Sequence, residues 1–505
     1  MVETPSCPAP PASVAPHRAW LAGCTWERVL LGLLAVLLLC LFLHNFYGVR
    51  LPNADDIADS LRPMSAVAAR CISLACSQGR IFPLNLLFQY PYFFTISLAH
   101  TVWYDVLNLG TYALALLLFG AVLACYVHRT FALLALACYL CCYPLLWDYT
   151  SPAAYPVFFF LLISVFLLSL LALHQYYATG RSPFLWLSLA LLSIVLFTYE
   201  SLFLIFFISY LAIAIAHLPR PVKRSPRLWP VIIAVVLALI YVAGFLAWRK
   251  VHPPIYDGVV IARHFTPSDT LDVIVQYSYA STIFHYWVNG YSIAIHHPFT
   301  EPVYRQVTIS FAHILAHLTL WQVCFAAGLT LFVGLLLRRP SRVALSKQQG
   351  VSLLLMAMVI ILGACGPVAV TPKYIAWVRQ GNPAYLCSSF AYFGIVLILA
   401  TLLCWFATAC TQYRYGYQLC CGLLLSLTLV VALASGSFNS QVYATMREHS
   451  DKWPAFDRFM HITEFAPLLQ RQPLWTPPLY MYNWYAFFRE ANYWGCSRVS
   501  ITEWR

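Results

Sequence analysis

Apolar runs of about twenty residues recur along almost the whole of this 505-residue chain, and no other feature constrains its fold as tightly. A run of that length crosses the ~30 Å hydrocarbon core of a bilayer as a helix rising ~1.5 Å per residue. In lipid, backbone polar groups must be bonded within their own segment or in a closed barrel, and the alternating strands of a barrel are absent. Asp, Glu, Lys and Arg make up only 10% of the residues, against roughly a quarter in soluble proteins. The sequence therefore specifies an all-α, polytopic membrane protein.

The runs fall at 29–47, 103–126, 131–147, 154–174, 184–198, 201–217, 229–248, 308–337, 351–369, 384–409 and 418–437, predicting eleven spans. The stretch 184–217 decides the count. As one helix it would be ~50 Å long, and "FTYES" stands in its middle, so two shorter helices meeting at Tyr199 and Glu200 fit the bilayer better. With the N-terminus inside, this places Arg129, Arg181, "RPVKRSPR" (220–227), "RRPSR" (338–342), Lys347 and Arg414 in inner connections, the bias expected of cytoplasmic loops. Of 18 Asp and Glu, all but Glu3 and Glu27 then lie outside. The net charge of +12 is thus an orientation signal, not a nucleic-acid surface. Most of the 17 cysteines lie inside apolar runs, where Cys acts as a small hydrophobe rather than as a disulfide framework.

This topology divides the chain into a cytoplasmic tail (1–28), a transmembrane domain (29–437) with long outer loops at 48–102 and 249–307, and an outer-face segment (438–505). In the first of those loops, "LPNADDIADSLRP" (51–63) sets Asp55 beside Asp56. Pro63 can open a helix and Gly79 close it. Between them Met64, Val67, Ala68, Cys71, Ile72, Leu74 and Ala75 form an apolar stripe with Ser65, Arg70 and Ser73 off it, an amphipathic helix lying on the membrane surface. Asp55, Asp56 or Asp59 is expected to cap this segment, since carboxylates favour helix starts. In an extended stretch successive side chains point to opposite sides, so one Asp would face a pocket while its neighbour caps or orients.

A carboxylate above the first span can reach a reactive group held at the bilayer surface, such as a lipid-phosphate-linked sugar. Transfer with inversion needs one general base for the acceptor hydroxyl and cations for the departing phosphate. Arg80, Arg263, Lys373 and Arg379 are the candidate phosphate ligands, the last two in "TPKYIAWVRQGNP" (371–383). Arg suits bidentate recognition of phosphate and Lys a point contact. Tyr199 and Glu200, with Tyr256 and Asp257 of "HPPIYDG" (252–258), are candidates for a sugar or acceptor cavity, where Glu200 could bind hydroxyls or hold an Arg. His264, His285, His296 and His297 read as interfacial polar residues, while His313 and His317 would share one helix face.

With these residues the chain resembles the GT-C superfamily of integral-membrane glycosyltransferases. The likeness lies in the eleven-span layout, the pair Asp55-Asp56 in the first outer loop, the amphipathic helix ending in "GRIFPL" (79–84), and the long outer loop between the seventh and eighth spans. The resemblance implies an inverting enzyme that moves a sugar from a polyprenyl-phosphate donor to a lipid, glycan or protein acceptor of the cell envelope. It gives the general base to Asp55 or Asp56; a bacterial inner membrane with the site facing the periplasm fits this reading, and an endoplasmic-reticulum membrane with the site facing the lumen has the same physics. Membrane lipid would surround the protein, with no nucleic acid partner. Some similar enzymes use a divalent cation, but no DxD motif occurs here, so neither metal nor cofactor is assigned. An O-antigen ligase or polymerase would instead rely on Arg263, His264 and Arg305. A flippase or transporter would show repeated halves and charges near mid-membrane, and neither is evident.

Overall fold

A computed structural model describes residues 25–50, 56, 59, 64–80, 83–99, 101–146, 153–216, 228–254, 257–262, 266–297, 300–307, 309–316, 318–338, 343–381, 386–413 and 415–450. The helices are α1 (Thr25–Asn45), α2 (Val67–Ser77, entered by a 3-10 turn at Met64–Ala66), α3 (Leu86–Ser97), α4 (Val102–Tyr126) and α5 (Arg129–Cys142). There follow α6 (Phe158–Thr179), α7 (Ser182–Leu196), α8 (Phe203–Ala216), α9 (Trp229–Val251), α10 (Pro267–Tyr279) and α11 (Ile283–Asn289). After strands β1 (Tyr291–His297) and β2 (Thr300–Val307) come α12 (Phe311–Ala316), α13 (Leu320–Leu337), α14 (Lys347–Ala369), α15 (Pro372–Arg379), α16 (Leu386–Cys410) and α17 (Gly416–Ser450).

Among the described residues, seven helices (α4, α6, α9, α13, α14, α16 and α17) are long and apolar enough to cross a membrane. Shorter apolar helices stand at the four other predicted spans. One of them, α5, is packed inside the bundle, buried at almost every position from Phe131 to Cys142. A helix apolar on all sides fits a protein core or a membrane span, and the chain leaves α5 in extended backbone at Tyr143. The break expected at Tyr199 and Glu200 is present: α7 ends at Leu196, and a 3-10 turn at Glu200–Leu202 leads into α8.

Two expectations are revised. The predicted run 308–337 is divided into α12 and α13, the latter opened by a capping box in which Gln322 N–H donates to Thr319 Oγ1 at 3.3 Å and Thr319 N–H to Gln322 Oε1 at 3.0 Å. His317 lies outside the described residues, and with it the face it was to share with His313. The last span does not stop at 437: α17 continues to Ser450 with Phe438, Val442 and Met446 buried, and at ~1.5 Å per residue it outruns the bilayer core by ~20 Å. The fold is that of an all-α, polytopic membrane protein, and it carries one short antiparallel ribbon in the loop 249–307, where Tyr291 pairs with Val307 and Ile293 with Arg305. Residues 1–24 and 451–505 lie outside the described residues.

Small residues set the closest packing. A Cβ on Gly394 of α16 would stand 2.7 Å from the Ala357 carbonyl of α14, and one on Gly363 of α14 would stand 2.8 Å from Ile205 Cα of α8. Such contacts let membrane helices approach where no hydrophobic force between helices exists.

The segments assigned to the outer face gather at one end of this bundle. Trp248 Nε1 donates to the Ala75 carbonyl at 3.0 Å, joining the end of α9 to α2. Leu84 N–H donates to the Phe197 carbonyl at 3.2 Å, and Ala262 N–H to the Val370 carbonyl at 2.9 Å. These bonds tie Ala75 and Leu84 to the end of α9 and to the α7–α8 break, and Ala262 to the residue that closes α14.

Candidate active site

Asp56 and Asp59 have helical backbone and stand three residues apart, so they share one face. Both are buried, Asp56 completely. The hydroxyl of Tyr92, on α3, lies 2.7 Å from Asp56 Oδ1 and 3.2 Å from Asp59 Oδ2. Arg70 of α2 reaches in to form an ion pair with Asp59, its guanidinium 5.6 Å from the Phe93 ring centre. Burial and then the neighbouring Asp56 carboxylate push the Tyr92 hydroxyl well above the usual phenol range, so it remains a donor.

This geometry corrects the capping expectation. The residue before α2 is Ala66, which supplies no side-chain cap; Asp56 and Asp59 spend their oxygens on Tyr92, Tyr155 and Arg70. Asp56 is helical rather than extended, so a strict alternation of facing does not hold there. The stripe on α2 also divides. Val67 and Cys71 are buried against the protein, while Met64 and Ile72 stay exposed. Arg70, read as lying off the stripe, turns inward because a buried carboxylate requires a cation.

The second wall of this cluster is backbone. Tyr155 N–H donates to Asp56 Oδ2 at 3.1 Å, and Val157 N–H to Asn108 Oδ1 at 3.2 Å. Both residues have left-handed φ, +53° and +67°, a region that costs bulky and β-branched residues dearly and persists only where surroundings impose it. One turn before Asn108 on α4, Asp105 accepts from Gly48 N–H and from Arg50, each at 3.3 Å. The loop after α1 is thus tied to the same end of α4.

A cationic cluster lies beside this one. α2 stops at Gly79, whose φ of +61° and lack of a Cβ admit the His252 carbonyl, 2.4 Å from where a Cβ would sit. Arg80 N–H returns to the Ala75 carbonyl at 3.0 Å, the closure of a helix ended by a left-handed residue. Arg80 is thereby aimed at the break between α7 and α8. Its Nε donates to Glu200 Oε1, its guanidinium lies 5.1 Å from the Tyr199 ring centre, and Nη1 donates to Gln78 Oε1 at 3.1 Å. Burial alone would lower the Arg80 pKa, but Glu200 and Tyr199 reverse this and raise it. Arg249, the last-turn residue of α9, donates to the Gly79 carbonyl at 3.4 Å and to the Val259 carbonyl at 2.6 Å. Of the two roles open to Glu200, holding an arginine is the one observed.

Aromatic rings join the two clusters: Tyr92 to Phe158 at 6.3 Å, Phe158 to Tyr199 at 6.0 Å, Tyr155 to Phe159 at 5.5 Å and Phe159 to Tyr199 at 5.4 Å. Packed rings therefore connect the Asp56 cluster to Tyr199, Glu200 and Arg80. Lys373 and Arg379 belong to another. Lys373 Nζ sits 4.5 Å from the Trp377 ring centre. Arg379, 64% exposed, bonds Asp269 Oδ1 at 2.8 Å, so its observed partner is a carboxylate of α10. Asp257 is exposed. Asp55, Arg263, Tyr256 and His264 lie outside the described residues, and Arg305 stands on β2 opposite Ile293. Among the described residues no three His, Cys, Asp or Glu converge as a metal-binding group.

The sequence reading passed over Tyr92, Tyr155, Asn108, Asp105 and Arg249. Only one signal was available to it: Asp56 and Asp59 at i, i+3 mark a single acidic helix face. No protein-family model matches the chain, and no curated protein or solved structure is significantly similar to it.

Proposed function

We propose that the chain is an inverting membrane glycosyltransferase that takes a sugar from a polyprenyl-phosphate donor and passes it to a lipid, glycan or protein acceptor. What supports this reading is the joining, at one end of an apolar bundle, of the Asp56 cluster to the Arg80 cluster by a wall of rings. Such a transfer needs a carboxylate base for the acceptor hydroxyl and a cation for the departing phosphate, both beside the lipid in which the donor is dissolved. Asp56 or Asp55 is the base, Arg80 the phosphate ligand, and Tyr199 with its neighbouring rings the surface on which the sugar rests. In this reading the four shorter apolar helices complete a set of eleven spans, with the N-terminus in the cytoplasm of a bacterial cell and the site at the periplasmic face of the inner membrane.

The test is sugar transfer to envelope acceptors in cells carrying Asp55→Asn or Asp56→Asn at matched membrane levels. The expected result is that one substitution abolishes transfer and the other weakens it. Full activity in both, in a strain that loses the product on deletion, overturns the assignment and directs attention to the loop 249–307.

A further inference from the structure

We infer that Glu200 is a resident counter-ion of a two-arginine anion site formed by Arg80 and Arg249, and that a phosphate group binds there by displacing it. The inference rests on the transferase reading only in its choice of phosphate as the anion.

Arg80 and Arg249 arrive from different elements yet meet at one place. Arg249 holds the carbonyl of Gly79, the residue before Arg80, and stands within electrostatic reach of both Arg80 and Glu200. Glu200 bonds Arg80 directly and acts on Arg249 through its charge. Arg80 and Glu200 are mostly buried, with side chains 14% and 13% exposed, where an unbalanced positive charge is unfavourable. A phosphate ester carrying one or two charges balances the pair better than a single carboxylate does, and offers more acceptor atoms to two guanidinium forks.

Glu200 is suited to leave. It grips Arg80 through Oε1, while its buried Oε2 has no hydrogen-bond partner. It opens the 3-10 turn between α7 and α8, so its side chain can swing without unwinding a helix. Arg80 is held from behind by the Tyr199 ring and Gln78, and Arg249 by the Phe245 ring at 4.4 Å and the Val259 carbonyl. Displacement of Glu200 would leave both cations in place.

The experiment uses the full chain in phosphatidylcholine nanodiscs and calorimetric titration with two probes, inorganic phosphate and a short isoprenyl phosphate. A third arm repeats the titration in discs doped with phosphatidic acid. Glu200→Gln is expected to tighten binding about tenfold, and Arg249→Gln and Arg80→Gln each to weaken it about tenfold or more, the scale of one charged hydrogen bond. Preference for the isoprenyl ester supports the site as one for a lipid-linked donor. Equal affinity for inorganic phosphate supports it as one for free phosphate, and competition by phosphatidic acid as one for a headgroup.

A folded Glu200→Gln protein that binds no more tightly overturns the counter-ion role, and unchanged binding in Arg249→Gln overturns the paired site. Should Glu200→Gln not fold, Glu200→Ser, which also removes the carboxylate, is read by the same criterion. A chain that binds phosphate in this pattern but transfers no sugar keeps the anion site and loses the transferase reading. One that transfers sugar while Glu200→Gln binds no more tightly loses the counter-ion alone.

Discussion

Tyr155 donates its backbone N–H to the buried Asp56 carboxylate at 3.1 Å while its own φ is +53°, so a left-handed turn and a buried acid hold each other in place. A left-handed conformation costs a non-glycine residue roughly 1–2 kcal/mol. Here it is imposed by acceptors on two sides, Asp56 for Tyr155 and Asn108 for Val157. Asp56→Ala leaves the Tyr92 hydroxyl and the Tyr155 N–H without that acceptor, at about 1–3 kcal/mol for each buried donor. Asp56→Asn keeps one carbonyl oxygen and should destabilise by less than half as much. Melting in detergent micelles separates the two, and equal midpoints for both variants would show that the contacts carry no such weight.

Tyr92→Phe removes one hydroxyl and with it a contact to each of two buried carboxylates. Hydrogen bonds to charged groups are worth about 1.5–3 kcal/mol, so a loss on that scale is expected. Ring packing against Phe93, Tyr155 and Phe158 is retained, which makes the hydroxyl the only change. If the proposed base is Asp56, transfer by this variant should fall more steeply than its stability. Full activity with normal melting would remove Tyr92 from any role in placing the acid.

Gly79→Ala attacks the cationic cluster through the backbone. A left-handed φ costs alanine roughly 1–2 kcal/mol, and its Cβ would meet the His252 carbonyl at 2.4 Å, a backbone atom that cannot rotate away. Gly422→Ala, at a helical position with nothing within 4 Å of a Cβ, is the control and should be neutral or slightly stabilising. The same comparison applies inside the bundle, where Gly394→Ala meets the Ala357 carbonyl at 2.7 Å. The folded fraction extracted from membranes should drop for Gly79→Ala and Gly394→Ala and hold for Gly422→Ala.

The helical character and the break at Tyr199 were legible because each follows from local arithmetic: the length of an apolar run, and a Glu that cannot sit inside one. Glycine at position 79 announced the end of α2 for the same reason. What did not show was which apolar runs face lipid. In α5 the sequence cannot separate the two, because burial in protein and burial in bilayer select the same residues. The acid cluster was half visible. Asp56 stood out by rarity, but its partners Tyr92 and Tyr155 come from elements dozens of residues away, and an aromatic residue in an aromatic-rich chain carries no mark of its hydrogen bond. Arg80 was legible as a cation, and its partner followed only once α2 and the α7–α8 break were in contact. The ribbon at 291–307 had a period-2 signal in Tyr291, Ile293 and Ile295, masked by the helical surroundings.

The exposed pair Arg379–Asp269 yields a pH dependence whose sign can be worked through. Arg379 bonds Asp269 Oδ1 at 2.8 Å, and the Thr266 hydroxyl donates to Oδ2 at 2.9 Å. The Arg379 bond first, and the Thr266 bond second, hold the Asp269 carboxyl below its usual range. In the unfolded chain the same carboxyl takes up its proton at the ordinary value, so near that value the unfolded state binds more protons and stability rises with pH. The contribution is complete above the ordinary carboxylate range and is lost as pH falls through it toward the lower folded-state value. Both the tie between α10 and α15 and the capping box that opens α10, where Asp269 N–H donates to Thr266 Oγ1 at 3.1 Å, weaken together. Amide exchange across 267–279 should therefore accelerate, beyond its intrinsic pH dependence, as acid is added. Salt should reduce the effect, since an exposed pair is screened. Asp269→Asn should remove the acid-dependent component while leaving the helix in place, and an undiminished acceleration in that variant would assign the pH response to another carboxylate.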